Sequence, residues 1–163
     1  MKSKFLLLLA FVVLLSGCSQ NSDVPFTITD TNGRQPSSWN KVLKLELAKG
    51  FGDTYSYGSS INLFMTNLSG NQIRFPLDYN LRIYDFTGGV KEIKNRETIY
   101  GPDYIILPPN KRADRPIGLV SFTPQIQADA NHKIRIFVIG EMQNDDPQKT
   151  QLVGAYMDIE MHP

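Results

Sequence analysis

Val42 to Ala48 reads Val-Leu-Lys-Leu-Glu-Leu-Ala, and this alternation constrains the fold more than any other feature of the chain. Leu43, Leu45 and Leu47 fall on one side, with Lys44 and Glu46 on the other, which is the period of a strand with one buried face. Short runs of the same kind recur between Gly, Pro, Asn and Asp: Pro25 to Asp30, Ile61 to Asn67, Gln72 to Phe75, Asn80 to Phe86, Val90 to Lys94, Ile117 to Phe122 and Leu152 to Met161. Lys133 to Ile139 is apolar on both faces, so it is expected in the middle of a sheet. No stretch of twelve residues or more shows a helical apolar period. Pro108-Pro109-Asn110 breaks whatever precedes it. Eight or nine strands at this spacing predict an all-β domain over residues 25–163, a sandwich with a small closed β-barrel as the alternative. A domain of that length buries about two-thirds of its unfolded surface.

The first 24 residues follow a different plan. Lys2 and Lys4 precede 11 uninterrupted apolar residues, Phe5 to Leu15. As a helix this run spans about 16 Å, short of the roughly 30 Å of a bilayer's hydrocarbon core, but it suits the apolar region of a secretory signal peptide. The next residues, Leu15-Ser16-Gly17-Cys18, match all four positions of the lipobox, and here the chain resembles the bacterial lipoproteins. The resemblance implies a signal peptide over 1–17, recognised through Leu15, Ser16 and Gly17 and cut before Cys18. It further implies acylation of Cys18 with chains such as palmitate. Residues 18–24, polar from Ser19 to Asp23, then form a short lipidated tether. Loss of Lys2 and Lys4 with the leader takes the formal charge from +1 to −1. Ser19, rather than Asp, follows Cys18. In enteric-type lipoproteins Asp at that position favours the inner membrane, so the expected location is the cell membrane or the outer membrane, facing away from the cytoplasm.

A second resemblance concerns the fold. Thr66 to Phe75, Tyr79, Ile83 to Gly89 and Ile106-Leu107-Pro108-Pro109 follow the strand-and-loop rhythm of bacterial immunoglobulin-like domains, including the family named for an intracellular proteinase inhibitor of bacilli. It implies an immunoglobulin-like β-sandwich. It also implies an inhibitory loop near Leu107 to Pro116, although the Trp positions common in that family and a Gly after the Leu-Pro are absent.

The chemistry-bearing residues are sparse. A single cysteine builds neither an intramolecular disulfide nor a Cys-rich zinc site. Lys plus Arg nearly equals Asp plus Glu, so there is no overall basic field for nucleic acid. Gly-x-Ser-x-Gly, His-x-x-x-His and phosphate-loop spacings are missing. His132 reads as part of a solvated turn and His162 as a frayed terminus. Asp85 ends a strand with no visible partner, Asp145-Asp146 reads as a hairpin loop, and Asp78, Asp85 and Asp103 match no calcium loop. No cofactor and no enzymatic activity are expected.

Binding is the expected role. Tyr55 and Tyr57 flank a Gly-rich bend, and Tyr100 and Tyr104 bracket Gly101-Pro102-Asp103. Such rings offer rigid contact area to a protein or a sugar, or else cover the ends of the sandwich. Trp39 is either a further ligand platform or an anchor for the entering chain. Two basic clusters, Lys91, Lys94 and Arg96 with Lys111, Arg112 and Arg115, would contact anionic lipid if they met; otherwise they are solvated loops. The expected function is a membrane-anchored, non-catalytic module for an envelope protein, with a glycan-binding module or a proteinase-inhibitor-like domain as alternatives.

Overall fold

The structure, a computed structural model, describes residues 27–48, 54–56, 61–93, 104–114, 117–119, 130–144, 146 and 149–162, with the backbone alone for 54–56 and 117–119. These residues contain ten strands and no helix. They are β1 (Leu43–Leu47), β2 (Thr54–Ser56), β3 (Ile61–Asn67), β4 (Ile73–Pro76), β5 (Arg82–Asp85), β6 (Lys91–Ile93), β7 (Tyr104–Leu107), β8 (Ile117–Leu119), β9 (His132–Met142) and β10 (Gln151–His162).

The strands form two sheets. One is ordered β1-β3-β8; the other runs β2-β10-β9-β4-β7, with β5 on β9 and β6 on β5. Pairing is antiparallel except between β2 and β10. The sheets are open, and the closed barrel of the alternative expectation is not formed; the fold is a β-sandwich.

The main core lies between the sheets. Leu43, Leu45, Ile61, Leu63 and Met65 come from the smaller sheet, and Ile73, Phe75, Ile83, Ile134, Ile136, Val138, Val153 and Ala155 from the larger. Each of these side chains other than Ala155 contributes about 1.5–3 kcal/mol by leaving water. The expected alternation of β1 and β3 is therefore the alternation of core and surface. Beneath Phe75 the backbone of β9 comes so close that a Cβ on Gly140 would fall 2.6 Å from the ring.

β9 lies mid-sheet, as its two apolar faces require. Its reverse face holds a second cluster of Phe137, Ile139, Leu152 and Ile28, with Trp39, Tyr84 and Tyr156 packed against it. The chain before β1 covers that face. Thr27 to Asp30 is not a strand, contrary to the alternating pattern of Pro25 to Asp30 (Pro25 and Phe26 lie outside the described residues). Ile28 plugs the second cluster instead, and Asp30 turns the chain by accepting the N–H groups of Asn32 (2.9 Å) and Arg34 (2.8 Å). Residues 37–40 then run beside β10: Ser37 N–H donates to Leu152 O, Gly154 N–H to Ser38 O and Asn40 N–H to Gly154 O. Trp39 is thereby placed 5.5 Å from the Phe137 ring, the anchor of the entering chain.

β4 and β5 share one edge of β9, at Glu141–Met142 and Ile134–Phe137 respectively. Between them the chain loops out through Tyr79 and Asn80, both at positive φ (55° and 47°), so the expected strand start at Asn80 is a turn.

Candidate functional site

Leu15, Ser16, Gly17 and Cys18, expected from the sequence to form a lipobox, lie outside the described residues, as do Tyr57 and Tyr100. Tyr55 is described by its backbone. It belongs to a strand, β2, opposite Met161, where the Gly-rich sequence read as a bend. Tyr104 opens β7 opposite Pro76. β2 and β7 end the larger sheet on opposite sides, four inter-strand steps or at least about 19 Å apart. The structure therefore does not bring Tyr55 and Tyr104 together.

Tyr104 is 43% exposed and Ile106 46%. The Arg74 guanidinium lies over the Tyr104 ring, 4.2 Å from its centroid. Arg74 is paired in register with Glu141 on its other side, but Arg34 takes that carboxylate at 2.6 Å while also holding Asp30 at 2.7 Å. The hydrogen bond to Glu141 and that to Asp30 raise the Arg34 pKa above its ordinary value, against the effect of burial. The loop after β7, where an inhibitory segment was expected, is tied along β3 and the turn that follows it. Asn110 N–H donates to Ser69 O, Ala113 N–H donates to Met65 O, and Lys111 O accepts Asn67 N–H.

A second group gathers where β5 ends and β9 begins. His132 Nδ1 lies 2.6 Å from Asp85 Oδ2, with side-chain exposures of 11% and 9%. The other Asp85 oxygen accepts Thr87 N–H at 2.8 Å, and Thr87 Oγ1 accepts Lys133 N–H at 2.9 Å. The solvated-turn reading of His132 is thus corrected: it is the first residue of β9 and its ring is held by Asp85. His162 is corrected likewise. It closes β10, next to Met161, which faces His132, and its Nδ1 lies 2.9 Å from Asn131 Oδ1. Thr87, Asn131, His132, Lys133 and Glu160 line a cleft of about 320 Å³, and the backbone of Thr54 in β2 pairs with the lining Glu160. With Nδ1–H given to Asp85, a neutral His132 ring carries its lone pair on Nε2, so the pair fixes both tautomer and orientation. Asp85 and His132 are 47 residues apart, and no local spacing signals their contact.

Asp78 accepts Asn80 N–H at 3.0 Å, and Asp146 pairs with Lys149 at 3.4 Å; Asp103 and Asp145 lie outside the described residues. Among the described residues no group of three or more His, Cys, Asp or Glu is placed to hold a metal ion. Of the two basic clusters, the described Lys91 and Lys111 lie far apart. Lys91 faces Asp85, which faces Ile134, whereas Lys111 adjoins Asn67, whose amide reaches Leu107 at the Met142 end of β9, about 27 Å away. Lys94, Arg96 and Arg115 lie outside the described residues.

No family model matches this chain, and no curated protein matches it either.

Proposed function

We propose that the protein is an extracytoplasmic bacterial lipoprotein, held on the cell membrane or outer membrane by acyl chains on Cys18, whose immunoglobulin-like sandwich is a non-catalytic module for binding an envelope protein. The observation that carries this reading is Leu15-Ser16-Gly17-Cys18, which begins on the last of 11 consecutive apolar residues and contains the only cysteine of the chain. Each buried methylene contributes about 0.8 kcal/mol, so two or three acyl chains hold a polar domain firmly. From Cys18 to Thr27 the covalent reach is at most about 30 Å, which keeps the sandwich close to the lipid surface. Binding, rather than passive packing, is supported by Tyr104 and Ile106, two large apolar side chains exposed side by side on a terminal strand.

A Cys18→Ala variant tests the reading. The protein is expected to leave the membrane fraction or to keep its leader. Unchanged processing with unchanged membrane association overturns it.

A glycan partner is the second reading, favoured by the exposed ring of Tyr104. Arg74 covers one face of that ring, so a sugar would stack on the other. Oligosaccharide binding that is lost in Tyr104→Ala would select this reading over the first.

A further inference from the structure

We infer that the outer edge of β7 receives one extended strand of a partner protein, with side chains that alternate between apolar and acidic. This inference rests on the interaction-module reading above and names the surface and the chemistry of the partner.

Edge strands are templates for further pairing, and proteins commonly guard them with charge. Two other terminal strands here are guarded in that way: β1 carries Lys44 and Glu46, and β6 carries Lys91 and Glu92. β7 reads Tyr-Ile-Ile-Leu and has no charged residue. Among the described residues its one neighbour is β4. Two of its four side chains, Tyr104 and Ile106, are nearly half exposed. An extended chain is the occupant that satisfies both the backbone edge and alternate side-chain positions. Pro108 and Pro109 follow at once and limit the pairing to the four residues of β7.

Charge sets the second requirement. Arg74 is exposed and makes no ion pair among the described residues, because Arg34 has taken the neighbouring Glu141. Its guanidinium lies over Tyr104, one strand nearer the edge than its own backbone. A carboxylate on the incoming strand, on the face it shares with Tyr104 and Ile106, completes this arrangement, and the apolar residues between such carboxylates fall on the side of Ile105 and Leu107.

The test is hydrogen exchange, read by mass spectrometry, on the full lipidated chain in detergent micelles. The probes are two blocked hexapeptides at millimolar concentration, one alternating Glu and Val and the other alternating Lys and Val. The acidic peptide is expected to slow exchange over 104–107 by about tenfold, and the basic peptide to leave it unchanged. Ile106→Asp should abolish protection by the acidic peptide. Arg74→Glu should abolish it too and transfer protection to the basic peptide, so the inference stays testable if Ile106→Asp fails to fold. Unchanged β7 exchange, equal protection by both peptides, or protection that survives Arg74→Glu overturns the inference. So does slowing that rises with protein concentration alone, which would mean pairing between copies of this chain. Membrane pelleting of the same samples reads the lipid anchor separately: loss of pelleting with intact β7 protection contradicts the anchor and not the strand site.

Discussion

The Trp39 indole occupies the space that a side chain on Gly154 would need: a Cβ there would lie 2.4 Å from the ring carbon Cζ3. This contact joins the segment before β1 to the reverse face of the larger sheet, next to Phe137 and Tyr156. Gly154→Ala must displace the ring or the strand, at an expected cost of about 1–3 kcal/mol. Because Trp39 is the only tryptophan, its emission reports the displacement. A variant with unchanged emission and an unchanged urea midpoint would show that the indole does not rest there.

Asn80 replaces a missing rung of the sheet. Its Nδ2 donates to Ile139 O (3.1 Å) while Ile139 N–H donates to Tyr79 O (3.0 Å), so β9 stays paired where β4 and β5 part. The residue holds φ at 47°, a region that Gly tolerates and Ala does not. Asn80→Ala should lose about 2–3 kcal/mol, and Asn80→Gly about 1 kcal/mol less than Ala. Equal losses in chemical denaturation would show that the backbone at this position is not strained.

Asn67 is fully buried, and its side chain ties the end of β3 to the turns around it. Nδ2 donates to the carbonyls of Asn71 (2.7 Å), Pro108 (3.0 Å) and Leu107 (3.2 Å), and Oδ1 accepts Ser69 N–H at 2.9 Å. Asn67→Leu leaves these groups without that partner and should destabilise by about 3 kcal/mol, measured by urea unfolding. A loss under about 0.5 kcal/mol would mean that water or a shifted loop replaces the amide.

How much of this the sequence revealed depends on range. β1, β3 and β10 follow from alternation within each strand, and the mid-sheet position of β9 follows from its two apolar faces. The period misled at Thr27 to Asp30 because Ile28 and Asp30 are both buried, yet one plugs a cluster and the other caps a turn. β2 has three residues and is specified by Glu160 to His162, about a hundred positions away, so local reading had nothing to detect. The same limit hid Asp85 from His132. Local sequence gives a side chain's neighbours along its own strand, while this site is assembled by the register between strands.

Asp30 makes stability depend on pH. Burial works against its charge, but the Arg34 N–H, the Arg34 guanidinium and the Asn32 N–H outweigh that, and the carboxyl titrates below its ordinary value. A depressed carboxylate stabilises the fold above the unfolded pKa, near about 3.9, and this contribution is lost as pH falls through the lower folded value. Asp30→Asn should therefore be less stable than the parent at pH 7 and show a shallower loss on acidification below about pH 4. Parallel unfolding curves for the two proteins across that range would contradict the assignment.

Asp85 and His132 should act as a unit. In a double-mutant cycle of Asp85→Ala and His132→Ala, the coupling is expected at about 0.5–3 kcal/mol. Strict additivity in thermal or urea unfolding would show that the 2.6 Å contact carries no net stability.

Anchoring through one sulfur is the premise of the functional account, and intact mass spectrometry of the protein extracted from its native membrane tests it most directly. The account predicts a chain that begins at Cys18 and carries a diacylglyceryl thioether, with residues 1–17 gone. A chain that retains Met1 to Gly17, or one whose Cys18 thiol is unmodified, would contradict it.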